Sequence, residues 1–128
     1  MESKFAVRAL AALAQQTRLA IFRALIEAGP QGLSAGHIAE IVACPPATLS
    51  FHLKELTHAG LLDSRSESRF VIYSVQFDTM SALMDYLTEN CCGGDLAQCS
   101  AQFCVPEPPK SKSTRRKHEA LSRARRRG

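Results

Sequence analysis

The sequence lacks the features that would place it in a membrane or in a common class of enzyme. No apolar run approaches the roughly 18 residues of a transmembrane helix, and the N-terminal segment spaces its charges at helical intervals instead of building the apolar centre of a signal peptide. The 4 histidines show no metal-ligand spacing, and no glycine-rich phosphate loop is present. These absences predict a cytoplasmic protein that is not an enzyme, with no membrane partner, no small organic substrate and no organic cofactor.

Basic residues are scarce in most of the chain and concentrated at its end. Residues 105–128 hold nine of the 16 Lys and Arg side chains and two of the 12 Asp and Glu, a net charge of +7. The first 104 residues carry a net charge of −3, so the pI of about 9.0 is no evidence that the folded body binds DNA. We expect this tail to be disordered, either as a solubilising end or as a sequence-independent attraction to phosphates.

The 128 residues are predicted to form one domain with a cysteine-rich segment and a tail. Helical spacing predicts a first helix over 4–13, a second over 16–28 and a last over 77–90. Between them, Ser34 can cap a short helix, Pro46 can open the next one and Gly60 can end it. The predicted segments are 1–92 (folded body), 91–104 (cysteine-rich) and 105–128 (tail).

β-Branched and aromatic residues follow this pair of helices. Two strands, at about 62–66 and 70–75, would form a hairpin with a polar tip that carries arginine. Two short helices joined by a tight turn match a helix-turn-helix, and a hairpin after it is a wing. The predicted fold class is therefore mainly α with a two-stranded β wing.

Four short motifs follow one another along this body. They are LAQQTRL at 13–19, PATLSFHLKEL at 46–56, AGLL at 59–62 and IYS at 72–74, and the third follows the second at a fixed spacing. Over about residues 5–92, the chain resembles the ArsR/SmtB family of bacterial winged-helix repressors. The resemblance implies a homodimeric winged helix-turn-helix protein that binds double-stranded operator DNA.

The helix that begins at Pro46 is the candidate reading helix for the major groove. Its stripe of Leu49, Leu53 and Leu56 faces inward, which leaves polar and aromatic side chains on the other faces. Hydroxyls can bond base edges, Phe51 can touch a thymine methyl, and cations suit phosphates. His52 is a further candidate, although packing beside the DNA face is the favoured alternative for it. The predicted DNA contacts are Ala47, Thr48, Ser50, Phe51, Lys54, Arg65 and Arg69.

Apolar residues on the first and last helices are candidates for a dimer interface. The resemblance implies that both helices build this interface, and a two-fold dimer can span two half-sites of DNA. The alternative is that these side chains only close the core of the monomer. The predicted interface residues are Phe5, Leu10, Leu13, Met80, Leu83, Met84 and Leu87.

Four of the 5 cysteines lie within fourteen residues. Cys91 and Cys92 are predicted in the last turn of the helix over 77–90, Cys99 can fold back as a third ligand, and Cys104 is a candidate fourth. Three sulfurs suit trivalent arsenic or antimony, whereas four suit zinc, cadmium or lead. The resemblance to arsenite-responsive members implies As(III) or Sb(III) as the inducer, bound by Cys91, Cys92 and Cys99.

Two departures from the family pattern qualify this site. Many arsenite sensors of the family carry a Cys-x-Cys pair at the start of the helix-turn-helix, where this chain has only Cys44. No histidine lies in 77–90, which argues against the zinc site of other members. The alternatives are a thiol-based redox sensor, a sensor of another soft metal, and cysteines without a function. A helix C-terminus raises the pKa of nearby thiols, which disfavours redox sensing.

Overall fold

The computed structural model describes residues 1–94 and residue 97, so Cys99, Cys104 and the basic tail lie outside the described residues. The chain divides into two compact units, Met1–Glu89 and a second that begins at Asn90. Within the described residues, no helix is long and apolar enough to cross a membrane. The first unit contains α1 (Ser3–Leu13), α2 (Gln16–Ala28), β1 (Leu33–Ser34), α3 (Ala35–Val42), α4 (Pro46–His58), β2 (Leu62–Glu67), β3 (Phe70–Val75) and α5 (Phe77–Thr88).

The strands form an antiparallel sheet in the order β1-β3-β2. The β2–β3 hairpin runs from the pair Leu62–Val75 to the pair Glu67–Phe70, which confirms the predicted wing. The short strand β1 was not predicted, because two residues are too few to show an alternating pattern. Gly32 precedes it with a φ of 74°, and a Cβ there would overlap the carbonyl of Tyr73, so this position requires glycine.

Local signals set the helix-turn-helix. The Ser34 hydroxyl accepts a hydrogen bond from the His37 amide at 3.2 Å, which confirms the predicted cap of α3. Ala43 ends α3 in the left-handed region (φ 53°), and Pro46 opens α4. The chain leaves α4 through Gly60, whose φ is 83°. The turn geometry therefore places α4 directly after α3, with its N-terminal turn exposed.

The core lies between α2, α4 and the inner ends of β2 and β3. The predicted stripe of Leu49, Leu53 and Leu56 on α4 is buried. On α2 the buried side chains are Ile21, Phe22 and Leu25; the other large core residues are Ile38, Leu61, Leu62, Val75 and Leu83. Leu19 and Ile26 on α2 and Ile41 on α3 are exposed.

α1 packs through its smallest residues. Ala6, Ala9 and Ala12 are buried, whereas Phe5 and Leu10, both predicted for the dimer interface, are 45% and 41% exposed. Alanine every third residue lets the helix backbone approach its neighbours closely, and this leaves the larger side chains outside. The predicted helix over 4–13 is confirmed, with Ser3–Leu13 as its observed bounds.

α5 ends earlier than the sequence predicted. Its last residue is Thr88, Glu89 is extended (ψ 140°) and Asn90 is left-handed (φ 58°). Asparagine tolerates this conformation and commonly follows a helix end. In the second unit, Cys91–Gly94 forms a 3-10 turn in which Cys92 has a φ of 57°. The placement of Cys91 and Cys92 in the last turn of α5 was therefore wrong.

Candidate DNA-binding surface and cysteine pair

α4 presents one exposed polar and aromatic surface. Its leucine stripe and His52 face the core, and most of the other side chains of the helix are exposed to solvent. Phe51 is a large apolar side chain that lies outside the core, since it is 54% exposed. The structure brings together the predicted contacts Ala47, Thr48, Ser50, Phe51 and Lys54, all of them exposed.

The two wing arginines have different surroundings. Arg65 donates from Nε to Glu67 Oε2 and from Nη2 to the carbonyl of Gln31, both at 2.8 Å. It thereby fastens β2 to the turn before β1. Arg69 lies in the two-residue turn between β2 and β3 and is exposed. Of the two, Arg69 is thus the side chain with its charge available to a phosphate.

His52 does not belong to the exposed surface. Its side chain is only 8% exposed, and its Nδ1 lies 3.2 Å from Nη1 of Arg18. Burial and the neighbouring Arg18 lower the pKa of His52 below its usual 6.5, while Glu55 opposes them. The alternative of a packing and hydrogen-bonding role is what the structure shows, so His52 as a base-reading candidate was wrong.

An apolar surface remains on α1 and α5, which pack beside each other. Met84 and Leu87 are 46% and 53% exposed, and on α1 the exposed residues include Phe5 and Leu10. Leu83 is only 2% exposed, so it closes the core of the monomer and was wrongly assigned to the interface. Leu13 and Met80 are half-buried against the core.

Two further residues, Phe77 and Arg18, were not predicted from the sequence. Phe77 is exposed and lies seven residues before Met84, on the same face of α5. Arg18 lies 34 residues from its partner His52, so no spacing rule connects the two. The helical repeat could have revealed Phe77, whereas only the fold reveals Arg18.

The described cysteines of the second unit form a close pair. The sulfurs of Cys91 and Cys92 are 3.7 Å apart, well beyond the roughly 2.05 Å of a disulfide. A hydrogen bond with Cys92 is the main cause that raises the pKa of the Cys91 thiol. The predicted rise of the thiol pKa was right, but its main cause is this hydrogen bond and not the end of α5. Among the described residues, no three His, Cys, Asp or Glu side chains form a metal-binding group.

The spacing of the two sulfurs suits a thiophilic ion. Two thiolates of a tetrahedral site with bonds of about 2.3 Å are separated by about 3.8 Å. The observed 3.7 Å therefore places both donors within reach of one ion. Cys99, the predicted third ligand, lies outside the described residues.

Comparisons with known proteins agree with this geometry. A helix-turn-helix domain model matches residues 13–65. The uncharacterized helix-turn-helix-type transcriptional regulator YceK of Bacillus subtilis is 37% identical over 73 residues, which cover 57% of this chain and 72% of YceK. Proteins of this kind are regulators and not enzymes, in agreement with the sequence prediction.

Solved structures share the fold. An ArsR-like transcriptional regulator from Rhodococcus sp. RHA1 covers 72% of this chain and 84% of its own, with a TM-score of 0.63 and 23% identity. The homodimeric winged helix-turn-helix domain of Mb0332 from Mycobacterium bovis covers 72% and 85%, with a TM-score of 0.56 and 23% identity. A protein named "Possible transcriptional regulator for arsenical resistance" covers 72% and 96%, with a TM-score of 0.51 and 23% identity. This chain belongs to the DNA-binding helix-turn-helix transcriptional regulators, and its fold is the winged helix of the ArsR type.

Proposed function

We propose that this protein is a homodimeric repressor that releases its operator DNA when As(III) or Sb(III) binds Cys91, Cys92 and Cys99. The observation that carries the proposal is the 3.7 Å separation of the Cys91 and Cys92 sulfurs. Two converging thiols of this kind suit soft ions, and they lie next to a DNA-binding body in the sequence. The sulfur of Cys99 would complete a three-thiolate set.

The exposed apolar surface of α1 and α5 supports the dimer. Phe5, Leu10, Met84 and Leu87 lie outside the core on two helices that pack together, and large exposed apolar patches commonly mark interfaces. Mb0332, which shares the fold, is homodimeric. A second copy of this chain is the occupant that we propose for the surface.

The position of the cysteines in the sequence connects sensing to the dimer. Only Glu89 and Asn90 separate the end of α5 from Cys91. Gathering the three sulfurs would restrain the segment that directly follows α5, and α5 carries half of the proposed interface. A change in that interface alters the relative orientation of the two reading helices. Allosteric coupling of about 1–3 kcal/mol would weaken operator binding about 5-fold to 150-fold.

The test is a DNA-binding titration with defined ligands. The probe is a duplex selected by the wild-type protein from a random-sequence library, and binding is followed by fluorescence anisotropy under reducing conditions. Arsenite, antimonite, cadmium, zinc and peroxide are added separately. We expect arsenite and antimonite to release the DNA. Cys91→Ser, Cys92→Ser and Cys99→Ser should bind the duplex normally and no longer release it.

Cys44→Ser is the matched control, because Cys44 lies in the helix-turn-helix and donates only a weak bond to the Pro45 carbonyl at 3.6 Å. This variant should release DNA as the wild type does. Arsenite-driven release that persists in Cys91→Ser and Cys92→Ser contradicts the site. Release by peroxide alone would favour the redox alternative, which the raised pKa of the Cys91 thiol disfavours. Release by cadmium or zinc alone would favour another soft metal.

A further inference from the structure

One polar contact inside the first unit joins three helices. Arg18, in the first turn of α2, donates from Nε to the carbonyl of Ala12 near the end of α1 at 2.7 Å. Its Nη1 lies 3.2 Å from Nδ1 of His52 on α4. Arg18 is itself held in place, because its amide donates to the side chain of Gln15 at 2.8 Å. One guanidinium thus connects the end of α1 to the reading helix.

His52 has an unusual position for a polar residue. It is the buried polar side chain in a core that is otherwise apolar within the described residues. It follows Phe51 directly, and the two rings meet edge to face with centroids 5.6 Å apart. Any displacement of His52 therefore acts directly on the exposed surface of α4.

We propose that Arg18 and His52 are positioning residues that form a latch between α1 and the reading helix, and that protonation of His52 opens the latch. The inference needs only that the protein binds DNA, and it does not rest on the proposed arsenite site. With the latch closed at neutral pH, α4 has a fixed orientation, and with the latch open in acid its orientation is less restrained.

The chemistry of the two side chains gives the direction. Arg18 can only donate, so Nδ1 of His52 must accept, which a neutral imidazole can do and a protonated one cannot. Protonation would replace a hydrogen bond by two cations 3.2 Å apart. Burial and Arg18 together hold the imidazole in its neutral form.

The charged groups near His52 have opposing effects on its protonation. From its own helix Glu55 faces His52, and Arg8 of α1 and His58 of α4 line a cleft of about 360 Å³ beside Arg18 and Glu55. The charged residues of α3 and β2, which also pack against α4, are exposed. Burial and Arg18 outweigh Glu55, so the surroundings of His52 disfavour its protonation.

The experiment measures affinity for the selected duplex against pH, with circular dichroism as a check on folding. The wild type should lose affinity about tenfold to a hundredfold as the pH falls below the pKa of His52, as expected for the loss of a hydrogen bond to a charged group. His52→Asn should keep its affinity in acid, because the amide oxygen can accept from Arg18 and does not titrate. Arg18→Met should bind weakly at every pH.

His58→Asn is the matched control, since it removes an exposed histidine from the same helix. It should show the wild-type pH profile. The proposal is overturned if His52→Asn retains the wild-type loss of affinity in acid, or if His58→Asn abolishes that loss. If Arg18→Met does not fold, the comparison of the two asparagine variants still decides.

Discussion

The different surroundings of three cations on α4 and the wing lead to a quantitative prediction. Lys54 and Arg69 are exposed and form no ion pair within the described residues. Arg65 is paired with Glu67 and hydrogen-bonded to the carbonyl of Gln31. We therefore expect Lys54→Met and Arg69→Met to remove phosphate contacts, and Arg65→Met to remove a contact within the wing.

The salt dependence of DNA binding separates these effects. Each phosphate contact contributes about 0.9 to the slope of log affinity against log salt concentration, so a dimer that loses two contacts changes by about 1.8. Between 50 mM and 200 mM salt, the wild type should then lose about tenfold more affinity than Lys54→Met or Arg69→Met. For Arg65→Met the slope should stay near the wild-type value, because the neighbouring carboxylate already offsets its charge.

Anisotropy titrations of the selected duplex at several salt concentrations give these slopes directly. Glu67→Gln is the control for the wing, because it releases Arg65 from its ion pair and should steepen the slope if the freed cation reaches a phosphate. A slope in Arg65→Met reduced as much as in Arg69→Met, with an intact fold, would refute the expectation that Arg65 makes no phosphate contact. Unchanged slopes in both exposed-cation variants would refute the DNA-facing role of this surface.

Three further predictions concern folding and assembly. Leu83→Ala should lower the free energy of unfolding by about 2–5 kcal/mol because Leu83 is buried, whereas the exposed Leu87→Ala should mainly raise the dimer dissociation constant. Urea unfolding measures the first effect and analytical ultracentrifugation the second. The reversed pattern would contradict the placement of Leu83 in the core and of Leu87 in the interface. Gly32→Ala should cost at least about 1–2 kcal/mol, because its positive φ and the backbone of β3 leave no room for a Cβ, while Gly36→Ala in open space on α3 should stabilise the protein by up to about 1 kcal/mol. Because the pKa of His52 is lowered in the fold, its contribution to stability should be complete above about pH 6.5 and be lost as the pH falls through the folded pKa, a change that His52→Asn should remove from urea unfolding curves.

Local patterns were enough to predict the reading helix and the wing. The stripe of Leu49, Leu53 and Leu56 has the period of a helix, and Pro46 and Gly60 favour its two ends. The reading helix and the wing both depend on interactions between residues close in sequence, and these can be recognised from the sequence alone. The prediction of α4 and of the β2–β3 hairpin therefore needed no knowledge of packing.

Packing partners were not predictable in the same way. On α1, hydrophobicity singled out Phe5 and Leu10, but the core takes up Ala6, Ala9 and Ala12. An apolar pattern shows that a face avoids water and does not show whether the same chain or a second copy covers it. The pair of Arg18 and His52 was hidden for a related reason, since 34 residues separate the two partners.

The correction to the end of α5 bears on the proposed inducer site. Consecutive side chains on a helix diverge by about 100°, so two adjacent cysteines inside α5 would direct their sulfurs apart. Because Asn90 and Cys92 adopt left-handed conformations beyond the helix, the backbone turns between them and the two sulfurs come to 3.7 Å. Asparagine and the glycines at 93 and 94 are the residues that most readily permit such turns. In the proposed site, the interruption of the helix would let the adjacent cysteines act as two ligands of one ion, and a variant that extends α5 through Asn90 should separate their sulfurs.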